Sequence, residues 1–437
     1  MKRERVNPWV WVPTLYFAEG LPYFMVNTIS VIMFKKMGMD NGSMAWYTSL
    51  LYLPWVIKPF WSPFVDLVRT KRWWTDVMQI LMSAVFFLVA FSLPGLSPAE
   101  IAAGSSPSLF SLTLILFWIT AFASATHDIA ADGFYMLALK EKEQSFFVGI
   151  RSTFYRLSSL FGQGVLVVIA GLIEKSTGDI PLSWRLTVIV AASILTVLSV
   201  YHIFLLPAPA ADARREGTGI KNIFISFGET FRTFFSKPLV WLTILFLLLY
   251  RLPEALVVKM VPAFLVDPVE KGGLGLSTVS YGLVNNTVGV VGIVLGGIIG
   301  GAYMSRVGLK RSLWIMGLSL ALPCVVYLYM SLTRTQSIPL IATCVFIEQF
   351  GYGFGFTAYM LYMIFFAEGE YKTAHYSLCT AFMAASMMLP GAFAGYIETA
   401  LGYSWFFALV MITCLATVLA VALVRRKIPA SFGCSAK

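Results

Sequence analysis

The fold is decided by a stretch at Phe117–Gly162, which reads FWITAFASATHDIAADGFYMLALKEKEQSFFVGIRSTFYRLSSLFG. Two apolar runs meet there across a short polar turn, Lys140–Ser145. Both runs are long enough to cross a bilayer as helices. Their ionisable side chains are His127, Asp128, Asp132, Arg151 and Arg156. Charged groups in hydrocarbon cost several kcal/mol unless they are paired or face water.

Counting residues outward from the turn gives the depth of each charge in the membrane and shows which charges lie level with each other. Asp132 then lies level with Arg151, and Asp128 with Arg156, the latter pair about 15 Å from the turn at ~1.5 Å per residue. Asp128 and Asp132 share a helix face because they are four residues apart. Two interpretations stay open. The charges form either ion pairs that hold two helices together or a substrate or proton site on a transport pathway. The same set of charges can serve both purposes.

The composition is that of a membrane protein. The 437 residues are 58% hydrophobic and 12% charged, with a mean hydropathy of +0.78, so the bilayer must solvate the apolar surface. The net charge of +10 lies in short loops between apolar runs, which indicates topology signals rather than nucleic-acid binding. The cysteines have neither disulfide nor zinc-ligand spacing, and we interpret them as packing residues.

Twelve apolar runs are long enough to span a membrane. They cover residues 8–34, 45–65, 74–95, 108–139, 146–173, 184–206, 238–266, 280–304, 311–332, 337–366, 373–401 and 403–424. The sequence predicts an all-α membrane protein with a six-helix bundle at 1–206, a cytoplasmic linker at 207–237, a second bundle at 238–424 and a tail at 425–437. An amphipathic helix is expected in the linker near Ile220–Phe235. Most loop lysines and arginines fall on the side of both termini, which places the termini in the cytoplasm.

An internal repeat supports the division into two halves. The pattern AGxIE occurs at Ala170–Glu174 and again at Ala394–Glu398. Tyr-Met pairs at 135–136 and 359–360 have the same spacing, and on this register His375 corresponds to Arg151. Parallel repeats of six helices are the organisation of major facilitator transporters.

A loop motif at Gly300–Arg311, GGAYMSRVGLKR, fits the major facilitator loop pattern. In that superfamily the loop holds the cytoplasmic helix ends together and opens during transport. A second copy at 66–72 keeps the acid and the basic residues, although a general positive-inside loop also explains the basic residues. The predicted cytoplasmic gate consists of Asp66, Lys71, Arg72, Arg306, Lys310 and Arg311.

The second run contains a lysine and three prolines. Lys58 lies about two turns from the cytoplasmic end, where its side chain either snorkels to the surface or faces a cavity. Pro54, Pro59 and Pro63 each remove a backbone hydrogen bond, so we expect a kinked helix.

Four further ionisable residues lie within the predicted spans. Glu19 is near mid-membrane with no local partner, and a lone buried carboxyl suits proton coupling. Arg251 and Glu254 are three residues apart and either pair with each other or serve transport. Glu348 precedes Gln349 and the glycine-rich run GYGFG, so it either binds sugar hydroxyls or packs against a close helix.

With these residues in view, the first half resembles the AmpG-type muropeptide permeases of the major facilitator superfamily. The matching segments are Gly20–Met25, Lys58–Asp66, Ala123–Phe134 and Tyr155–Leu157. The resemblance implies a bacterial inner-membrane, proton-driven importer of N-acetylglucosaminyl-anhydro-N-acetylmuramyl peptides. It also implies functional status for Lys58, Asp66, Asp128, Asp132 and Arg156.

The leading hypothesis is therefore a monomeric, proton-coupled importer of an amino-sugar peptide or another acidic solute, working by alternating access without a cofactor. Arg156 and Lys58 would attract the ligand, while Glu19, Asp128 or Asp132 exchange the proton. The alternatives are a siderophore importer of the same fold, a signalling sensor, and a polytopic membrane enzyme. In the enzyme alternative, His127 with Asp128 and Asp132 holds a metal ion.

Overall fold

The computed structural model describes residues 5–212, 220–369, 372–429 and 432, and this part of the chain is helical nearly throughout. Eleven of its helices are long and apolar enough to cross a membrane. We label them α1 (Pro8–Lys36), α2 (Lys71–Ser92), α3 (Pro107–Ala138), α4 (Thr153–Thr177), α5 (Ile180–Leu205), α6 (Val240–Val266), α7 (Thr278–Met304), α8 (Leu309–Thr333), α9 (Ile338–Ala367), α10 (Ala374–Leu401) and α11 (Tyr403–Arg425). The predicted all-α membrane fold is confirmed.

The predicted second span is not one continuous helix. It consists of the helices Asn41–Leu50, Leu53–Ile57 and Ser62–Val68, with a short 3-10 turn at Lys58–Phe60. Pro54, Pro59 and Pro63 account for these breaks, because a proline inside a helix removes a backbone hydrogen bond and clashes with the preceding turn. The expected kink is therefore confirmed, and the predicted run at 45–65 is a broken segment that is not among the eleven continuous spans.

Contacts divide the chain into two compact units. The first comprises 1–39 and 57–227, and the second comprises 40–56 and 228–437. The outer part of the broken second span belongs to the second unit because it packs closely on α10. There the Asn41 amide donates to Glu398 Oε2 at 2.7 Å, and a Cβ at Gly395 would collide with the Asn41 carbonyl. The division into two six-helix halves stays a prediction.

In the first unit, α2 packs between α3 and α5, and α1 packs on the helix Glu141–Ser159 that leads into α4. Trp11 of α1 is fully buried and meets Phe134 of α3 edge-on, with ring centroids 5.3 Å apart. Burying large aromatic side chains between helices fixes their relative positions. This packing brings the charged faces of α1 and α3 together.

In the second unit, α7 and α9 approach through glycines. A Cβ at Gly296 of α7 would overlap the Phe350 carbonyl of α9, and one at Gly353 of α9 would overlap the Ile293 carbonyl of α7. Small residues permit such close backbone contact between membrane helices. The glycine-rich run around Gly353 therefore serves helix packing.

The predicted linker helix is present with the expected bounds, Ile220–Phe235. Its C-terminal part buries Phe234 completely against Phe366 and Phe382. Thr233 and His375 Nε2 are also in hydrogen-bond contact at 3.1 Å. His375, the counterpart of Arg151 in the predicted repeat, is thus held by the linker helix.

Candidate transport site

The first unit contains an ion pair between the broken second span and α3. Lys58 Nζ lies 2.5 Å from Asp128 Oδ2, and the two side chains are 19% and 21% exposed. Lys58 begins the 3-10 turn at the break in its span. The predicted partnership of Asp128 with Arg156 is wrong: Arg156 is exposed, and Asp128 turns instead toward the second span.

A second carboxyl joins this ion pair. Glu19 of α1 is 7% exposed, and its carboxyl group interacts electrostatically with that of Asp128. Like charges at short range disfavour the ionisation of both carboxyls, and one proton shared between them would remove that repulsion. Lys58, Asp128 and Glu19 thus form a neutral group when one proton is bound.

One turn along α3, Asp132 pairs with Arg151, as the sequence predicted. Arg151 Nη2 lies 2.7 Å from Asp132 Oδ1, and the Tyr16 hydroxyl donates to the same carboxylate at 3.1 Å. The guanidinium lies 4.4 Å from the ring centre of Tyr16 and 5.2 Å from that of Tyr135. Side-chain exposures of 28% for Arg151 and 42% for Asp132 leave this pair within reach of a ligand.

His127 belongs to a separate buried network. Its Nε2 contacts the Gln79 amide at 2.9 Å, Gln79 Oε1 contacts His202 at 2.8 Å, and His202 contacts the Thr14 hydroxyl at 3.0 Å. In the described residues, no group of three His, Cys, Asp or Glu side chains is arranged to hold a metal ion. The His127 contacts described above involve neither Asp128 nor Asp132, its partners in the metal-dependent enzyme alternative. Sequence reasoning missed Gln79 and His202, since polar residues scattered over distant apolar runs give no local signal.

In the second unit, α6 breaks at Tyr250–Arg251, just before Pro253. The carbonyl of Tyr250 accepts a hydrogen bond from the Thr417 hydroxyl at 3.0 Å, which compensates the interrupted ladder. Arg251 is buried, donates to the Tyr352 hydroxyl at 2.6 Å, and lies 4.8 Å from the ring centre of Phe356.

Glu254 and Glu348 face one another in the same unit. Both are buried, at 4% and 0% exposure, and their carboxyl groups interact electrostatically. The Tyr327 hydroxyl and the Gln349 amide donate to Glu348 Oε2, at 2.9 and 2.8 Å. Arg251 and Glu254, which the sequence left as a candidate pair, thus each have an additional partner on α9.

Sequence reasoning also missed Lys259 on α6. Its side chain is 1% exposed, its Nζ lies 3.3 Å from the Thr48 hydroxyl, and it faces the Tyr52 ring at 5.0 Å. An ammonium group buried against a hydroxyl and an aromatic ring is uncommon in a membrane helix. A single lysine inside the apolar run LVVKMVP was the available signal.

A family model described as Major Facilitator Superfamily matches residues 14–373. The chain belongs to the Major Facilitator Superfamily. Among curated relatives, the anhydromuropeptide permease of Escherichia coli strain K12 is 25% identical over 399 residues, which cover 90% of this chain and 74% of the permease. A putative transporter AmpG 4 of Rickettsia conorii is 24% identical and covers 92% of both chains. These relatives confirm the resemblance to AmpG-type permeases.

Solved structures show the same fold. A D-xylose–proton symporter superposes with a TM-score of 0.72 at 11% identity, covering 97% of this chain and 98% of its own. The nucleoside transporter NupG gives 0.69 at 15% identity, covering 97% and 100%. The family match and the permease relatives, together with the apolar helices, make this facilitator a multi-pass membrane transporter for a small molecule.

The predicted gate residues of this facilitator lie at helix ends within each unit. Lys71 and Arg72 begin α2, and the Arg72 guanidinium donates to the Ile203 carbonyl at 2.8 Å. In the second unit Arg306 and Arg311 are exposed, and the Lys310 carbonyl accepts from the Arg425 guanidinium at 3.0 Å. The side chain of Asp66 and the terminal residues 1–4 and 433–437 lie outside the described residues. The gating role stays a prediction.

A linker carboxylate caps α2. Asp212 accepts from the backbone N–H groups of Lys71 and Arg72, at 2.7 and 2.9 Å, and the Thr70 side chain accepts from Trp73. Three backbone donors at this helix end are therefore satisfied by side chains. Burial raises the pKa of Asp212, and the two backbone donors oppose that change.

Asp212→Ala is expected to lower the free energy of unfolding by about 1 kcal/mol, the usual cost of losing a helix cap. Asp212→Asn should cost less, because its amide oxygen still accepts one hydrogen bond. Thermal unfolding of the purified protein in detergent measures both. Equal melting temperatures for Asp212→Ala and the unchanged protein would contradict the capping role.

Proposed function

We propose that this facilitator imports cell-wall muropeptides, N-acetylglucosaminyl-anhydro-N-acetylmuramyl peptides, together with protons across the bacterial inner membrane. The observation that carries the substrate class is the similarity to the anhydromuropeptide permease over 90% of the chain. In this proposal the protein works as a monomer, and its two six-helix halves open the substrate site to each side of the membrane in turn. Both termini lie in the cytoplasm.

Proton coupling is supported by the group at Glu19, Asp128 and Lys58. In this proposal the carboxyl pair shares one proton beside Lys58, whose Nζ lies 2.5 Å from Asp128 Oδ2. The pair can then bind a second proton. When Lys58 moves away, the Asp128 carboxylate loses its counter-charge, and its proton affinity rises. When Lys58 returns, the proton is released. Movement of the broken second span against α3 thus translates into proton uptake and release.

Substrate recognition is supported by the pair Arg151–Asp132. Its partly exposed guanidinium carries several donors and lies over the faces of two tyrosine rings. Arginine recognises carboxylates with paired, charge-assisted hydrogen bonds, and a muropeptide stem carries carboxylates. In this proposal the ligand carboxylate competes with Asp132 for Arg151.

Uptake of labelled anhydromuropeptide into proteoliposomes under an imposed pH gradient, acidic outside, tests the proposal. We expect accumulation above the outside concentration, collapse of that accumulation when a protonophore is added, and little uptake of a ferric chelate by the same vesicles. Ferric-chelate uptake without muropeptide uptake would instead identify the siderophore importer.

A further inference from the structure

The second unit contains a buried carboxyl pair that the proton cycle of the first unit does not use. Glu254 lies on α6, one turn after the break at Tyr250–Arg251, and Glu348 lies on α9. The two carboxyl groups interact electrostatically, and neither residue is more than 4% exposed. Solvent therefore does not screen the repulsion between two ionised carboxylates at this position.

The hydrogen-bond donors near the pair satisfy only some of the carboxyl oxygens of Glu254 and Glu348. Tyr327 and Gln349 both donate to Glu348 Oε2. Glu348 Oε1 and Glu254 Oε2 are buried without a hydrogen-bond partner among the described protein atoms. A buried carboxylate oxygen without a donor is costly, and a proton on one carboxyl supplies the donor that this contact otherwise lacks.

The charges around the carboxyl pair also indicate that it binds one proton. Arg251 is the cation that faces Glu254, so one carboxylate and one guanidinium balance, and the second carboxyl must be neutral to avoid an uncompensated charge in the membrane. The other titratable groups that face the pair are Cys324, with Cys414 beside it, and Tyr327. These groups are neutral as thiols and phenol and do not alter the count.

The arrangement parallels that of the first unit. There, one cation, Lys58, accompanies two carboxyls, and the acids Glu19 and Asp128 lie on α1 and α3. In the second unit one cation, Arg251, accompanies two carboxyls on α6 and α9. Under the predicted repeat, the first and fourth spans correspond to the seventh and tenth, so both clusters join corresponding helices.

We propose that Glu254 and Glu348 form a second proton-binding site, which holds one proton shared by the pair and carries it during transport. The claim that this proton is carried with the substrate rests on the proposed function. The claim that the pair binds a proton does not. The site lies in the second unit, whereas the group at Glu19, Asp128 and Lys58 lies in the first.

Infrared spectroscopy of the purified protein at neutral pH tests the bound proton without any substrate, because protonated carboxylic acids have a distinct C=O stretch. Glu254→Gln and Glu348→Gln should each remove the intensity of one protonated acid, since the remaining glutamate ionises. The double variant should lose no more than either single variant. Glu270→Gln, the same change at an exposed loop residue, should lose none.

Two results would overturn the shared proton. No loss of intensity in the double variant would show two ionised carboxylates, and a double variant that loses the intensity of two acids would show two independent acids. Neither result depends on which solute the protein carries, so failure of muropeptide uptake remains distinguishable from failure of this site.

The proton-to-substrate ratio tests whether the proton is carried. Reversal potentials of muropeptide flux in proteoliposomes should give a ratio lower by one proton in Glu254→Gln than in the unchanged protein, with Glu270→Gln unchanged. A variant that retains the full ratio would contradict the carrying role.

Discussion

Asp128→Asn is expected to abolish proton-driven accumulation of substrate while the protein still folds. The amide neither holds the shared proton with Glu19 nor balances Lys58, which lies 2.5 Å from Asp128 Oδ2. Because the variant retains neither the coupling proton nor the counter-charge of Lys58, we expect initial uptake under a pH gradient to fall by about a hundredfold or more. Uptake of labelled muropeptide into proteoliposomes measures this loss.

The matched control is Glu270→Gln, which makes the same carboxyl-to-amide change on an exposed loop and should leave uptake unchanged. Lys58→Met with Asp128→Asn should recover protein stability but not accumulation, because the double change removes both buried charges together with the proton site. Accumulation by Asp128→Asn at the level of the unchanged protein would show that Asp128 is not part of the coupling.

Gly296→Ala is expected to destabilise the second unit severely. A Cβ at this position would overlap the Phe350 carbonyl of α9 and lie 2.9 Å from the Phe354 nitrogen. Both atoms belong to the backbone of a packed helix, so the helices must separate and lose contacts along the interface. We expect a loss of about 3 kcal/mol or more, within the range for overpacked cores.

Gly301→Ala on the same helix is the matched control. A Cβ there has no neighbour within 4 Å, and replacing a helical glycine by alanine without a clash gains up to about 1 kcal/mol. Melting temperatures and yields of folded protein after size-exclusion chromatography should therefore move in opposite directions for the two variants. Similar behaviour of the two would contradict the close α7–α9 contact.

Local patterns in the sequence account for the parts that were predicted correctly. The pair Asp132–Arg151 follows from counting residues outward from one turn, because two adjacent antiparallel helices fix the depth of both partners. The linker helix Ile220–Phe235 and the proline breaks of the second span likewise depend on their own segments.

Long-range packing explains what could not be predicted. Asp128 has two partners, Lys58 and Glu19, that lie on different helices, and no spacing in the sequence shows which helices meet α3. Lys259 was missed for the same reason, since its neighbours Thr48 and Tyr52 belong to the broken second span.

The central claim is that substrate entry carries protons held by buried carboxyl pairs. The most direct measurement follows external pH when anhydromuropeptide is added to weakly buffered proteoliposomes at zero membrane potential and equal pH on both sides. We expect substrate-dependent alkalinisation outside the vesicles with the unchanged protein, and none with Asp128→Asn. Substrate entry by the unchanged protein without any movement of protons would contradict the account.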